Sequence, residues 1–432
     1  MRIYFSGIGG VGIGPLAEIA FDAGYSILGS DIHAGLMTQE LEKRGIAISY
    51  DQSGEFLRAQ HADKPIDWLV YTAALPDDHP ELVAARQLGI HTAKRDELLS
   101  EIIREKNLKL IAVAGTHGKT TTTGLIVWGL GQLGIPVSYS IGTTLSFGPS
   151  GQFVPGSHYF VYEADEFDRN FLQFTPWLSV ITALDYDHPD TYPTPDDYRK
   201  AFVQFIEQSN YTVLWEKDLR YLNQPDIAAD YSAFDEFMDL SHIKLAGNHT
   251  RHNAFLALEA LGRAEAAEGL EGGAKNLEAI NSFPGTARRF EKLAENLYSD
   301  YGHHPSEIAA TLQMAKELSD YVVLVYQPHQ NIRQHEVRNQ YVDAVFEQAD
   351  EIYWLPTYLS REDPKLEILP PSELTEQLSR TDALHLAEMD DELWSNIRRH
   401  LDAGHLVLCM GAGTVDGWVR DRIKLTTYAT SP

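Results

Sequence analysis

Short apolar runs alternate with amphipathic stretches along most of this 432-residue chain. In the first part of the chain the pattern predicts strands at 2–6, 25–29 and 68–71 and helices at 16–23 and 95–104. Strands that alternate with helices are typical of parallel sheets covered by helices on both faces. The hydrophobic pattern therefore predicts an α/β protein.

Two further blocks repeat this alternation. The second has predicted strands at 110–114, 159–163, 178–183 and 211–215 and helices at 196–208 and 251–261. Residues 262–281, rich in Ala, Glu and Gly, are predicted to be a variable surface segment. The third block has predicted strands at 321–325, 351–355 and 405–409 and helices at 305–318 and 339–348. The expected domains are 1–104, 105–282 and 283–432, since a domain averages about 150 residues.

Charge and cysteine content narrow the class of protein. The net charge is −27, from 35 basic and 62 acidic residues, which argues against nucleic-acid or anionic-membrane binding. The chain has no run near the ~18 apolar residues of a membrane span, and it opens directly on a strand, so no signal peptide is expected. A single cysteine, Cys409, excludes an internal disulfide framework, and a cytoplasmic location is expected.

The stretch from Gly115 to Thr121 carries the strongest chemical signal. It follows the apolar run 110–114 and precedes a helical pattern, which is the layout of a phosphate-binding loop. Loop amides and Lys119 are expected to hold the phosphates of a nucleoside triphosphate, and the Thr120 hydroxyl to face Mg²⁺. Val113 replaces the glycine that opens the strict form of this pattern.

Acidic and imidazole side chains follow the next two predicted strands. Glu163 ends one strand, and His188 lies in the loop after the other. Ligands of parallel sheets bind beyond the carboxyl ends of the strands, so Thr120, Glu163 and His188 are expected to meet there. Oxygen donors with one imidazole favour Mg²⁺ or Mn²⁺ over Zn²⁺.

A second glycine loop, Gly7 to Gly12, follows the first strand, and Asp31 ends the next one. This is the dinucleotide-fold pattern, in which glycines approach a pyrophosphate and an acid accepts from a ribose hydroxyl. The literal interpretation is an NAD-dependent dehydrogenase. A UDP-sugar also carries a pyrophosphate, however, and a dehydrogenase leaves the loop at 115–120 unexplained.

Taken in order, these motifs resemble the Mur ligases of bacterial cell-wall (peptidoglycan) synthesis, and within that family the branch that adds L-alanine. The resemblance spans nearly the whole chain and rests on a set of ordered stretches: 7–14, 29–31, 115–123, 163–166, 187–188, 190–192, 247–253, 285–290, 300–305, 327–329 and 411–413. It implies a Rossmann-like domain for the UDP-sugar, a central P-loop domain for ATP and a Rossmann-like C-terminal domain for the amine. The implied reaction uses ATP and Mg²⁺ (or Mn²⁺) to convert the carboxylate of UDP-N-acetylmuramate to an acyl phosphate, which the amino group attacks.

The resemblance also assigns roles to residues. For catalysis it implies Lys119, Glu163, His188, His117 and His303. For ATP it implies Gly115, Thr116, Gly118, Lys119, Thr120, Thr121, His249, Asn253, Arg288 and Asp300. For the UDP-sugar it implies Gly9, Gly10, Val11, Gly12, Asp31 and Thr72. For the amino acid it implies Tyr301, His303 and Arg333, and for the metal Thr120, Glu163 and His188.

Two positions depart from the family pattern. Thr250 stands where the adenine motif usually has Asn, and Gln330 stands where alanine-adding members usually have Arg. Losing one guanidinium weakens carboxylate capture, so the amine stays open between L-alanine, glycine or serine, and a salvaged murein tripeptide. A catalytically silent nucleotide-binding regulator is the alternative of another class. The expected state is a monomer or homodimer.

Overall fold

The structure is a computed structural model that describes residues 1–429 apart from positions 73, 74, 189, 225, 271, 272 and 361. Within these residues the chain divides into two compact units. One comprises Met1–Asp239 with Ala254–Phe283, and the other comprises Leu240–Asn253 with the chain from Pro284 onward. None of the described helices is both long enough and apolar enough to cross a bilayer.

The first sheet lies in the first unit and has five described strands in the order β3-β2-β1-β4-β5, all parallel. Its strands are β1 (Arg2–Ser6), β2 (Ser26–Ser30), β3 (Ala47–Ser49), β4 (Trp68–Tyr71) and β5 (His91–Lys94). Its helices are α1 (Gly14–Asp22), α2 (Leu36–Lys43), α3 (Glu55–Asp63), α4 (Pro80–Leu88) and α5 (Arg95–Glu105). Alternate residues of β1 pack into different cores, Ile3 and Phe5 on one face and Tyr4 on the other, so helices cover both faces.

The second sheet, in the same unit, has seven described strands in the order β12-β11-β10-β6-β9-β7-β8. They are β6 (Lys109–Ala114), β7 (Val137–Ser140), β8 (Gly151–Gln152), β9 (Tyr159–Glu163), β10 (Leu178–Ile181), β11 (Thr212–Trp215) and β12 (Tyr231–Phe234). The helices that follow are α6 (Lys119–Gln132), α7 (Pro195–Glu207), α8 (Glu216–Leu222), α9 (Asn248–Ala267) and α10 (Ala274–Asn281), with a 3-10 segment at Phe167–Gln173. Only the short β8 pairs antiparallel among the described strands of this sheet.

The third sheet lies in the second unit, and its six described strands have the order β13-β14-β18-β15-β16-β17. They are β13 (Glu291–Ala294), β14 (Leu297–Asp300), β15 (Val322–Tyr326), β16 (Glu351–Trp354), β17 (Leu384–Leu386) and β18 (Leu406–Met410). The helices are α11 (Pro305–Lys316), α12 (Asn331–Val337), α13 (Asp343–Phe346), α14 (Pro371–Leu374), α15 (Asp391–Asp402) and α16 (Val415–Ala429), with 3-10 turns at Arg338–Gln340 and Thr381–Ala383. The predicted α/β class is confirmed.

The prediction for 262–281 is wrong. Helix α9 continues to Ala267, and α10 covers Ala274–Asn281. Ala264 and Ile280 are fully buried, and Asn276 Nδ2 donates to Glu265 Oε2 at 2.5 Å. Alanine and glutamate are strong helix formers. Helix α10 packs against α6, where Trp128 Nε1 donates to the Ala279 carbonyl oxygen at 3.0 Å.

The helix expected at 339–348 is also wrong in extent, because only the short α13 forms there. Tyr341, at φ −76° and ψ 80°, leaves helical geometry. Its ring is fully buried 5.1 Å from that of Trp354, and its hydroxyl donates to Gln334. Burial of this aromatic side chain therefore outweighs local helix propensity.

Candidate active site

The phosphate-type loop lies between β6 and α6, at the carboxyl end of the central strand of the second sheet. Gly115 has φ +134°, and a Cβ there would lie 2.5 Å from Thr182 Oγ1 and 2.8 Å from the Ala183 carbonyl oxygen. Gly118, at φ +84°, precedes the first residue of α6. The loop thus needs glycine at both positions, whereas Val113 is a fully buried strand residue that pairs with Glu163 and Val180.

Lys119, the first residue of α6, is drawn back over the loop. Its Nζ lies 2.6 Å from the Gly115 carbonyl oxygen and 3.0 and 2.7 Å from the two carboxylate oxygens of Glu166. Burial by itself lowers the pKa of Lys119, but the Glu166 carboxylate raises the pKa above its ordinary value, so the ammonium stays charged. Glu166 is completely buried.

Thr120 and Glu163, two of the three residues predicted to meet at a metal, lie in contact. The Thr120 hydroxyl donates to Glu163 Oε1 at 2.8 Å, and the Gly142 amide donates to Glu163 Oε2 at 2.8 Å. Register places Glu163 opposite Val113, two residues before the loop begins. A hydroxyl and a carboxylate oxygen at this spacing fit a divalent cation that prefers oxygen ligands.

His188 lies with a different pair of acids. Donor atoms of Asp165, Glu166 and His188 all lie within 4.8 Å of one another, and His188 Nε2 is 3.9 Å from Glu166 Oε1. His188 has φ +58°, and Asp168 and Arg169 have φ +53° and +57°. Such left-handed non-glycine residues are costly and cluster at functional sites. Two carboxylates and one imidazole fit Mg²⁺ or Mn²⁺.

Thr116 and His117 fix the middle of the loop to β10. The Thr116 hydroxyl donates to the Asp185 carbonyl oxygen at 2.7 Å, and the Asp185 amide donates back to it at 2.8 Å. The Thr182 hydroxyl donates to the His117 carbonyl oxygen at 2.5 Å. The loop, including Thr121 in the first turn of α6, is therefore held against the strand that leads to His188.

The predicted UDP-sugar residues also come together in the first unit. The Gly9 amide donates to Asp31 Oδ2 at 2.7 Å, so this acid closes the glycine loop of Gly9, Gly10, Val11 and Gly12. Gly7 has φ +79°, and a Cβ there would lie 3.7 Å from Thr72 Cγ2. Val11 is 94% exposed at the loop tip. Loop, acid and Thr72 thus surround one end of the first sheet.

The remaining predicted nucleotide residues lie in or near the second unit's sheet. His249 and Asn253 begin α9, and burial lowers the pKa of His249 to about 4. The guanidinium of Arg288 lies 4.6 Å from the ring centroid of Tyr301, and Arg288 Nη2 donates to the Gly411 carbonyl oxygen at 2.9 Å. Asp300 is buried and accepts from the amides of Phe290 (2.8 Å) and Gly302 (2.7 Å).

The predicted amino-acid residues are close neighbours. Arg333 Nη1 lies 2.6 Å from His303 Nε2, and the rings of His303 and Tyr301 are 5.7 Å apart. Burial, aided by the charge of Arg333, lowers the pKa of His303 to about 4, so a neutral imidazole accepts from the guanidinium. Gln330, at φ +60°, precedes α12, and its amide donates to the Tyr358 carbonyl oxygen at 2.8 Å.

Sequence reasoning assigned no role to Asp165, Glu166 or Arg95. Asp165 and Glu166 stand in the same acidic stretch as Glu163, which was the available signal. Arg95 begins α5, and its Nη2 donates to Tyr162 and to Asp96 Oδ1 at 3.1 and 3.0 Å. A Cβ on Gly12 would lie 3.5 Å from Arg95 Nη1, so this cation borders the first glycine loop. Arg95 and Gly12 are far apart in the sequence, so local sequence patterns do not indicate that they are neighbours.

Comparisons with known proteins agree with this geometry. Residues 2–107 match the Mur ligase family, catalytic domain; residues 113–233 match the Mur ligase middle domain; and residues 288–413 match the Mur ligase, glutamate ligase domain. A UDP-N-acetylmuramate–L-alanine ligase of Anaeromyxobacter dehalogenans is 32% identical over 453 residues, which cover 96% of this chain and 95% of that protein.

Solved structures show the same fold. The UDP-N-acetylmuramate–alanine ligase of Thermotoga maritima has a TM-score of 0.71 at 24% identity and is covered, like this chain, over 100% of its length. A murein peptide ligase of Psychrobacter arcticus has a TM-score of 0.62 at 22% identity, covering 100% of this chain and 99% of that one. With three matching segments in order and a full-length relative above 30% identity, this chain belongs to the Mur ligase family of ATP-dependent ligases and has its three-domain α/β fold.

Proposed function

We propose that this protein joins UDP-N-acetylmuramate to L-alanine in peptidoglycan synthesis, with conversion of ATP to ADP and phosphate. The observation that carries the proposal is the pairing of Thr120 with Glu163 beside Lys119, at the tips of neighbouring parallel strands. The relative that is 32% identical over almost the full chain bears the name of this activity. The geometry of the site supports phosphoryl transfer, and the activity named for this relative supports the choice of substrates.

The loop and Lys119 supply the electrostatic part of the chemistry. Transfer of a phosphoryl group requires positioning and stabilisation of negative charge more than covalent participation by the protein. The α6 N-terminus and the Lys119 ammonium provide positive potential at one point. A bound Mg²⁺ or Mn²⁺ supplies further charge neutralisation on the phosphates. Thr120 with Glu163, and His188 with Asp165 and Glu166, are the residues that would hold such ions.

The first glycine loop serves the UDP-sugar in this proposal. The loop is closed by the bond from the Gly9 amide to Asp31, and Arg95 borders Gly12. A guanidinium beside a glycine loop favours a pyrophosphate through charge and hydrogen bonding. The nicotinamide alternative leaves the Lys119 site without a role.

The amine site is proposed at Arg333. The Arg333 guanidinium donates to the neutral imidazole of His303. In this proposal it also binds the carboxylate of the incoming amino acid. Gln330 stands where the alanine-adding branch usually has arginine, so this stretch keeps only the guanidinium of Arg333, and glycine, serine and a murein tripeptide are the competing amines. The proposed partners are therefore UDP-N-acetylmuramate and L-alanine, within a cytoplasmic enzyme.

A panel of amines tests the proposal. ADP release is measured with ATP, Mg²⁺ and UDP-N-acetylmuramate in the presence of L-alanine, glycine, L-serine or the murein tripeptide. L-Alanine is expected to give the largest kcat/KM. A preference for the tripeptide would indicate that the protein belongs to the salvage branch of the family. If none of these amines supports ADP release, the ligase proposal is refuted.

A matched pair of lysine variants tests whether ADP release depends on the loop that contains Lys119. Lys119→Ala is expected to abolish release, because phosphate charge loses its nearest cation. Lys200→Ala is the control, since Lys200 is an exposed residue of α7 that pairs with Asp196 at 2.7 Å. Equal activity of the two variants would show that the catalysed reaction does not use this loop.

A further inference from the structure

The Lys119 ammonium is held by two groups in this structure. Its Nζ lies 2.6 Å from the Gly115 carbonyl oxygen and 3.0 and 2.7 Å from the two oxygens of the Glu166 carboxylate. The two carboxylate oxygens share one N–H, so two of the three ammonium donors are engaged and the Glu166 charge offsets the positive charge of Lys119. A phosphate must therefore compete with the Glu166 carboxylate for the charge of Lys119.

Glu166 is the partner that can leave. The Gly115 carbonyl belongs to the loop backbone, which is fixed by its approach to Thr182 and Ala183. The Glu166 carboxylate, in contrast, lies within 4.8 Å of potential metal-ligand atoms of Asp165 and His188, so a cation held among them would give it a second partner. His188 Nε2 is 3.9 Å from the same Oε1 atom that contacts Lys119.

Burial makes this choice of partner energetically important. The side chain of Glu166 is 1% exposed and that of Lys119 16% exposed. A carboxylate with so little water around it needs a cation, and at these distances it has either the ammonium or a cation at the Asp165–His188 side. The two alternatives compete for the same pair of oxygens.

We propose that Glu166 is a gate on Lys119: without ligands it holds the ammonium away from phosphate, and a divalent cation beside His188 draws the carboxylate off and frees the lysine for nucleotide. Cation and nucleotide then bind cooperatively through one side chain. Linkage requires this coupling to be reciprocal. The inference rests on the proposed nucleotide site and adds to it the order in which the site is assembled.

The gate predicts the effect of removing the contact. ATP binding is measured calorimetrically in EDTA, without divalent cation. Glu166→Gln is expected to bind ATP about 10-fold tighter than the unaltered protein, because ATP no longer has to displace a charge-assisted hydrogen bond. Glu166→Asp keeps the charge but is one methylene shorter, and it is expected to tighten binding in the same direction; it also serves as the second variant if Glu166→Gln unfolds.

Asp165→Asn is the matched control. It removes one negative charge from the same cluster, yet the described hydrogen bonds of the Asp165 side chain run to the Phe167 amide and not to Lys119. A smaller gain than from Glu166→Gln, of about 3-fold or less, is expected, because Asp165 acts on Lys119 through its charge and has no described hydrogen bond to it. If Asp165→Asn tightens metal-free ATP binding as much as Glu166→Gln, or if neither Glu166 variant tightens it, the gate is refuted.

A second readout uses added Mn²⁺. In the unaltered protein Mn²⁺ is expected to tighten ATP binding by a larger factor than in Glu166→Gln, where no gate remains to be opened. An equal factor in both proteins contradicts the gate while leaving the proposed function in place. Absence of ATP binding to the unaltered protein even with Mn²⁺ refutes both, so the two failures are distinguished.

Discussion

The hydroxyl of Thr120 donates to Glu163 Oε1 across 2.8 Å, which joins the second residue of α6 to the last residue of β9. The strand register that places Glu163 beside Val113 makes this contact possible. The pair lies next to Lys119, so the proposed cation site and the lysine proposed to bind phosphate share one end of the sheet. The predictions below test the parts of this arrangement separately.

Replacing Thr120 tests the cation site. Thr120→Val keeps the shape of the side chain but removes the hydroxyl, and the affinity for Mn²⁺ in the presence of ATP is expected to fall about 10-fold. The measurement is free Mn²⁺ by electron paramagnetic resonance. Thr123→Val is the control on the same helix, because the buried Thr123 hydroxyl has no hydrogen-bond partner among the described residues. Unchanged affinity in Thr120→Val would remove Thr120 from the site.

Substituting the first loop glycine tests the tight approach of the loop to β10. Gly115→Ala places a Cβ 2.5 Å from Thr182 Oγ1 at a φ of +134°, so the loop must shift. ATP affinity is expected to fall by at least about 10-fold, together with a stability loss of roughly 1–3 kcal/mol. Gly131→Ala is the control: it lies within α6 with nothing within 4 Å, and a gain of about 0.5–1 kcal/mol is expected. Thermal unfolding and calorimetry decide between these outcomes.

Arg95 provides a test of the first glycine loop. Arg95→Ala is expected to weaken UDP binding about 10-fold while leaving ATP binding unchanged, because the guanidinium borders Gly12. Arg104→Ala on the same helix is the control, since Arg104 pairs only with Glu101 among the described residues. Loss of UDP binding in both variants, or in neither, would speak against a contact between Arg95 and the pyrophosphate.

Two buried histidines predict an acid-labile fold. The pKa values of His249 and His303 are lowered to about 4, below the ~6.5 of an unfolded histidine. Between these values the unfolded chain binds protons that the folded one does not, so stability is present near pH 7 and is lost as the pH falls through about 6.5 toward 4. The loss from pH 7 to pH 5 is expected to be about 2 kcal/mol for each histidine.

Substitution checks that these histidines cause the pH dependence. His249→Gln is expected to reduce the difference in unfolding free energy between pH 7 and pH 5 by about half of the combined contribution. The exposed His33 is the control, and His33→Gln should leave the difference as it is. An undiminished pH dependence in His249→Gln would mean that His249 is not the group that titrates.

Much of the fold could be predicted because strand ends and helix starts are marked locally. Strands β1, β4 and β9 have the predicted limits, and β6 differs from its prediction by one residue. The predictions of secondary structure that are wrong lie where local composition or periodicity differs from what tertiary packing favours. The composition of the alanine-rich residues near 264 predicts a surface segment, whereas the structure has a partly buried helix there. Tyr341 interrupts a helical pattern because its ring is buried.

The sequence alone determined the succession of strand, glycine loop, Lys119 and α6, since apolar runs, glycines and helix periodicity are short-range properties of the chain. It also determined the family, through the order of its motifs. Only the tertiary structure decided that Lys119 pairs with Glu166 and that Arg95 borders Gly12. These contacts join residues 47 and 83 positions apart in the printed numbering, and they depend on the order and register of the strands that precede them. Strand order and register are not expressed in the periodicity of the chain, because both are set by packing between segments distant in sequence.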